Sequence, residues 1–374
     1  MRQSKSRSKS SAAEVPASSR TTASASESER PARSRPSIQD VAALASVSTA
    51  TVSRVVNNPT LVSSSTAERV QRAIAELGYQ PNRLAQALMT RRSRILGLSL
   101  PDFHGEFYAE LLRGADREAR ACGYRLMVTS AALGDAAPAG VRGAFDHAEG
   151  LLDGIAVMLT ESGQHVAEAA ATAGVPAVVL DSQVDLPGVD TVRIDNRSGT
   201  TEAVEQLIAS TPPERCFFVG GPPGNFDTQE RVGAFRRVIR REGGPPRRDQ
   251  IVYGDFDAET GRAWATEAAA GGHLVGSAVL AANDDVAIGI LQAAQALGLD
   301  APRDVAIVGC DDARVTTIIR PTLSTVAVPR ADFGRAAVEA LVRRIEEPEA
   351  SVRQVRLPTA LVVRESSVRE SRNR

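Results

Sequence analysis

Lysine is almost missing from this 374-residue chain: Lys5 and Lys9 are the only two, both at the N-terminus. The rest of the chain has no ammonium to offer, which excludes a Schiff-base nucleophile and the lysine of a P-loop. Cysteine is scarce as well. Cys122, Cys216 and Cys310 are odd in number, widely spaced and without histidine at ligand spacing, so neither a disulfide framework nor a zinc site is expected. Cys310 reads as a packing residue, because no cation flanks it in sequence. The four histidines, His104, His147, His165 and His273, form no HExxH, and no GxSxG occurs. No catalytic constellation, metal site or cofactor site is expected. No apolar run approaches the roughly 18 residues that span a bilayer, and no apolar core follows the Arg/Ser-rich N-terminus. A cytoplasmic protein without a membrane segment is expected.

Charge is balanced only in total. A net charge of -1 divides into +8 over residues 1–93 and -9 over residues 94–374. A basic head on an acidic body suggests an N-terminal nucleic-acid-binding region joined to something else. Residues 1–36 hold 11 serines and almost no large apolar side chain, so they read as a disordered basic tail. From Ser37 the pattern changes. Ser37 and Asp40 form a capping box, with Val41, Leu44 and Ala45 following on one helical face. Ser48 can cap a second helix that buries Val52, Val55 and Val56. Ser63 can cap a third, with Val70, Ile74 and Leu77, that ends at Gly78. The short break at Ala45, Ser46 and Val47 has the length of a helix-turn-helix turn. In that motif the start of the second helix faces the bases of the major groove. Arg54 suits a bidentate contact to guanine, and Thr49 and Ala50 suit a thymine methyl. Ser48, Thr51, Ser53 and Asn57 suit phosphate oxygens.

After Arg94, apolar runs such as Ile95–Leu100, Arg125–Val128, Gly154–Leu159, Ala177–Leu180, Cys216–Val219, Ala278–Ala281 and Val305–Val308 alternate with amphipathic stretches. This βαβ rhythm implies parallel sheets covered by helices. The length exceeds what one core usually holds, so two doubly wound lobes are expected, with a ligand cleft at the strands' carboxyl ends. No sequence repeat is visible between them. The loop Gly220-Gly221-Pro222-Pro223-Gly224 lacks GxGxxG spacing, and its prolines remove donors that a phosphate would use.

The run SIQDVAALASVSTATVSRVVNN, followed by VSSSTAERVQRAIAELGYQPNRLAQALMTRRSRILGL, resembles the headpiece and hinge of the LacI/GalR (lactose-repressor type) transcriptional regulators. The resemblance extends from Ser37 to about Ser366. It implies an all-α helix-turn-helix headpiece (37–80), a hinge helix and linker (81–93) and an α/β body (94–374) whose two lobes are of periplasmic-binding-protein type. The lobes are expected at about 94–193 with 330–356 and at about 194–328 with 357–366, crossing near Ile194, Val328 and Leu357. Ser46 departs from the family, which commonly has Gly in that turn. The segment Pro81 to Leu88 resembles the family's hinge helix, which orders when two copies meet over the minor groove. Asn82, Ala85 and Leu88 fall there, with Leu88 at the position that wedges a base step apart.

In the body, the resemblance assigns Phe107, Asp181, Arg231, Phe256, Asn283 and Asp311 to effector binding. Gly105-Glu106 stands where the family commonly has Asn-Pro. An arginine, several Asp/Asn and stacking aromatics suit a polyhydroxylated ligand. The expectation is therefore a homodimer that represses carbohydrate genes from a near-palindromic operator and is released by a sugar or sugar derivative. A co-repressor or protein co-regulator in place of an inducer is the alternative within that reading. A cytosolic sugar-binding protein or an enzyme is the alternative outside it.

Overall fold

The computed structural model describes residues 36–80, 92–101, 105–130, 151–158, 175–182 and 188–368. The tail and the hinge residues Asn82, Ala85 and Leu88 lie outside the described residues. The chain divides into two units, residues 1–82 and 83–374.

The first unit contains α1 (Ile38–Leu44), α2 (Thr49–Asn57) and α3 (Ser64–Leu77). The capping box forms: Ser37 Oγ accepts from Asp40 N, and Ser37 N donates to Asp40 Oδ2 at 2.8 Å. Val41, Ala42 and Ala45 of the first helix region meet Val52 and Val55 of α2 and Val70 and Ala73 of α3 in one small core. Leu44, expected in that core, is instead 46% exposed. The buried stripe runs Ile38, Val41, Ala42, Ala45, the i, i+3, i+4, i+7 row, and Leu44 falls beside it. Ser48 caps α2 by accepting from Thr51 N at 3.1 Å. Ser63 stands at the N-cap of α3 but makes no such bond, because its hydroxyl donates to Thr66 Oγ1 at 3.0 Å. Gly78 ends α3 in the left-handed conformation (φ 62°). Ser46 occupies that conformation too, at φ 51°, so the turn between α1 and α2 is made without the glycine that would adopt it freely.

The second unit carries two six-stranded sheets. The first contains β1 (Ile95–Leu100), β2 (Arg125–Ser130), β3 (Gly154–Met158), β4 (Ala177–Leu180), β5 (Asp190–Asp195) and β11 (Gln354–Pro358), ordered β11-β5-β4-β3-β1-β2. The second contains β6 (Cys216–Val219), β7 (Ile251–Val252), β8 (Ser277–Ala281), β9 (Val305–Asp311), β10 (Ser324–Ala327) and β12 (Ala360–Val362), ordered β12-β10-β9-β8-β6-β7. Among the described strands, only β12, beside β10, is antiparallel; the other pairs are parallel. Strands buried on both faces read as continuous apolar runs, which is why the periodicity exposed most of them in the sequence. The chain passes between the sheets after Asp195, at Val328-Pro329 and at Thr359. Both β5 and β11 remain in the first sheet slightly past the expected crossings at Ile194 and Leu357.

Helices α4 (Gly105–Ala121) and α9 (Arg330–Glu346) pack together on the first sheet. Around the second sheet lie α5 (Asn196–Ile208), α6 (Phe226–Gly243), α7 (Ala258–Ala270) and α8 (Asp284–Ala296). There Cys216 and Phe218 join one core with Val232 and Phe235 of α6, while Phe217 and Val219 join another with Trp264 of α7. The alternation of a strand thus serves both faces. Each lobe also brings two helices into backbone contact through reciprocal glycines. A Cβ on Gly114 would lie 1.9 Å from Ala331 O, and one on Gly334 2.0 Å from Leu111 O. Gly261 and Gly289 have the same relation to Val286 O and Ala258 O, at 2.1 and 1.9 Å.

Candidate functional site

Two sets of residues concern function, one in each unit. On the first, Ser48, Thr49, Ala50 and Arg54 are exposed, while Val52 and Val55 anchor α2 from below. Thr51 and Ser53 are half-buried, and the side chain of Asn57 lies outside the described residues. The Thr51 hydroxyl is within 2.9 Å of Ser48 Oγ, so both residues serve the helix cap before they serve any ligand. Arg54 projects from the last turn of α2.

In the second unit a cavity of about 1020 Å³ opens where the carboxyl ends of both sheets meet. That volume suits a small organic ligand. All six residues assigned to effector binding, Phe107, Asp181, Arg231, Phe256, Asn283 and Asp311, line it. The first lobe supplies Phe107, edge-on to Tyr108 with ring centres 5.2 Å apart, together with Met158 and Asp181. The second supplies the loop from Pro222 to Asn225, Arg231 on α6, Phe256, and the residues after β8 and β9. Gly221 (φ 76°) lets that loop pass under the Phe256 ring, which a Cβ there would approach to 3.2 Å.

Arg231 is 4% exposed. Its Nε donates to Asn196 Oδ1 at 2.9 Å and its Nη1 to Ala282 O at 2.5 Å. Asn196 Nδ2 donates in turn to Asp227 Oδ1 at 2.7 Å. Burial opposes the guanidinium's charge, but the carboxyls of Asp227, Asp311 and Asp181 around it favour that charge. The carboxyls respond oppositely. Burial, then the charge of Asp227, raises Asp181 well above the usual range, although Ile194 N donates to its Oδ1 at 2.9 Å. Burial raises Asp227 as well, and raises Asp311 to about 7 against the pull of Arg231 and Arg330. Asp181 Oδ2 is buried without a hydrogen-bond partner, and so is Arg330 Nη1.

Other assigned residues are more structural than expected. Asn283 caps α8 by accepting from Val286 N, and its Nδ2 donates to Phe256 O, both at 3.0 Å. One amide hydrogen remains for a ligand. Asp312, beside Asp311, pairs with Arg364 at 2.6 Å and does not line the cavity. Cys310 is buried and lies near Arg231 in space, though not in sequence; burial still pushes its thiol up, which leaves it inert packing. Sequence reasoning missed Asn196, Asp227 and Arg330. Asp227 stands four residues before Arg231, on the same helical face, so its spacing was legible. Arg330 was not: α9 packs on α4, yet its first residue reaches Asp312 O at 3.0 Å and Glu106 at 3.5 Å. Glu106 itself accepts from Arg314 N, at 3.0 and 3.2 Å for its two oxygens, tying one lobe to the other.

Residues 37–82 match the family of bacterial regulatory proteins, lacI family, and residues 186–367 match a periplasmic binding protein-like domain. The HTH-type transcriptional regulator CelR of Thermobifida fusca is 33% identical over 342 residues, which cover 89% of this chain and 99% of CelR. The chain belongs to the LacI family. Catabolite control protein A of Priestia megaterium, another relative, is 30% identical over 330 residues, covering 88% of this chain and 98% of that protein. Among solved structures, the lac repressor dimer bound to operator and the anti-inducer ONPF superimposes with a TM-score of 0.81 at 26% identity, over 89% of this chain and 99% of that one. A CelR–cellobiose complex gives 0.67 at 30% identity, over 89% and 100%. This LacI-family protein is a DNA-binding transcriptional regulator, and its relatives are regulators rather than enzymes. Among the described residues, no helix is long and apolar enough to cross a membrane.

Proposed function

We propose that this LacI-family regulator represses genes for the uptake or use of a carbohydrate and leaves its operator when a sugar-like effector enters the body. The observation that carries this reading is the cavity around Arg231, where Asp181, Asn283, Asp311 and Arg330 line the wall beside Phe107 and Phe256. Vicinal hydroxyls give and take hydrogen bonds at once, and a sugar ring face stacks on an aromatic one. Relatives named ribose operon repressor and a relative solved with cellobiose support the same class. On the DNA side, Thr49, Ala50 and Arg54 read bases, and Ser48, Thr51, Ser53 and Asn57 contact phosphates. The hinge residues Asn82, Ala85 and Leu88 enter the minor groove between two headpieces of a homodimer, which acts in the cytoplasm on a near-palindromic site.

Fluorescence anisotropy of labelled operator, with and without a panel of sugars, tests this. Release by a sugar is the expected result. Tighter operator binding on adding a sugar identifies a co-repressor instead, and no response to any sugar overturns the sugar reading. On the DNA side, Arg54→Ala should abolish discrimination at one symmetric pair of operator positions, at about 1–3 kcal/mol, while salt-sensitive binding remains. Uniform loss across all sequences would make Arg54 a phosphate contact.

A further inference from the structure

The chain enters the body through Ser93 and Arg94, and one carboxylate holds both. Asp153, 60 positions beyond Ser93, accepts with its Oδ1 from Ser93 N at 2.6 Å and from Ser93 Oγ at 2.8 Å, and with its Oδ2 from Arg94 N at 3.1 Å. Ser93 Oγ accepts in turn from Ile95 N at 3.1 Å, so the grip passes directly into β1. The strand itself does not need it, since β1 is paired with β2 from Ile95 and with β3 from Leu96 onward. Arg94 is held from other sides as well. Its carbonyl accepts from Arg125 N at 2.9 Å, and its guanidinium stands over the Tyr124 ring at 5.2 Å. It lies at φ 57°. A residue other than glycine keeps such backbone only where its surroundings impose it, and such residues gather at switch regions.

Asp153 is itself firmly seated. Its N donates to Ile95 O at 2.9 Å. Gly154, next to it, lies so close to α9 that a Cβ there would come within 2.8 Å of Leu341 Cδ1 and 3.0 Å of Ile345 Cδ1. The two elements that meet here both reach the cavity at their other ends, where Met158 closes β3 and Arg330 opens α9. Cavity wall and linker exit therefore belong to one packed piece. A flexible exit would absorb a displacement of that piece, whereas a pinned one passes it on.

We propose that Asp153 is a positioning residue for operator binding: by holding Ser93 and Arg94 it fixes the point and the direction from which the chain leaves the first lobe toward the hinge and headpiece. It acts through the backbone it holds and not on the DNA. Specific binding needs both headpieces of a dimer in register, so an exit ordered beforehand removes an entropic cost from each protomer. Attraction to phosphates tolerates a loose exit. The proposal does not depend on what the cavity binds.

Fluorescence anisotropy of the full-length protein decides the matter, with a labelled duplex that the wild type selects from a random pool and a scrambled duplex of the same length and composition. Asp153→Ala should weaken binding to the selected duplex about tenfold and leave the scrambled duplex within about twofold. Loss of a negative charge alone would strengthen both. Asp153→Asn keeps an acceptor for Ser93 but none for Arg94 N, so it should fall between, at about threefold. A merely structural role would lower the Tm and leave the selected-to-scrambled ratio alone. Should Asp153→Ala fail to fold by circular dichroism, Arg94→Gly carries the test, because glycine adopts φ 57° without strain and keeps the N–H. It loses the contact with Tyr124 and gains freedom at the exit, so the ratio should again fall about threefold. A ratio unchanged from wild type, whether both affinities hold or both fall together, overturns the proposal.

Discussion

The two lobes of the body share one plan and differ in what they bring to the cavity between them. Setting the crossover strands aside, the first sheet runs β2-β1-β3-β4-β5 and the second β7-β6-β8-β9-β10, the same order twice. Equivalent strands even end alike: Asp181 follows β4 and Asp311 ends β9, both at positive φ (44° and 121°) and both facing the cavity. Such backbone is strained for a residue other than glycine and gathers at functional sites. Yet the first lobe lines the cavity with Phe107, Tyr108 and Met158, whereas the second supplies Arg231 and six of the eight carboxyls. The scaffold is repeated, and the chemistry resides in the loops grafted on it.

The largest effect expected tests whether the likeness is energetic as well as topological. Gly334→Val and Gly289→Val each drive a side chain into the facing helix backbone, one in each lobe. Each should cost about 3 kcal/mol or more in denaturant unfolding followed by circular dichroism. A clear difference between the two would show that the lobes are not held equally. Next comes the polar against the apolar wall. Arg231→Ala should weaken effector binding on the order of 100-fold and abolish operator release, because it strips the charge that Asp227 and Asp311 face. Phe107→Ala, on the other wall, should cost about tenfold through lost ring contact. Calorimetry and operator titration give both, and a reversed order would break the comparison.

A smaller effect depends on pH. Burial raises Asp311 from the ordinary 3.8 to about 7, so between those values the folded protein binds more protons than the unfolded chain. Stability from this group is full in acid and is lost as pH rises through about 7. Asp311→Asn cannot ionise, so its Tm relative to wild type should rise between about pH 5 and about pH 8. A Tm difference flat across that range would show Asp311 ionised throughout. The smallest effect contrasts strain kept for function with strain that has none. Ser46, at φ 51°, lies in the turn between α1 and α2 and does not line the cavity of the body. Ser46→Gly should stabilise the headpiece by about 0.5 kcal/mol, since the relief of left-handed backbone exceeds the entropy glycine loses. Thermal unfolding of the isolated change against wild type reads it directly.

Much of this was legible in the sequence, for local reasons. The capping box at Ser37 and Asp40, the Ser48 cap, the Gly78 stop and the β runs are fixed by near neighbours and by strands buried on both faces. Leu44 and Ser63 were misread because a packing row and a competing hydroxyl decided them, and neither shows in spacing alone. Of the cavity residues, those at strand ends were accessible to the general rule for open α/β sheets. Asn196 and Arg330 were not, since each acts on partners far along the chain.

The sequence by itself determined the division into a basic helical head and an acidic α/β body, because composition and hydrophobic period are local properties of the chain. Only the tertiary structure decided that the body repeats one topology, since β-order is a matter of which distant strands pair and the two halves share no visible sequence pattern. It decided the electrostatics as well. Glu106, Asp257 and Asp285 are 28 to 179 positions apart in number, and nothing in their spacing announces that three carboxyl side chains border one cavity. Coulomb energy depends on distance through space and on burial, and both exist only once the chain has folded.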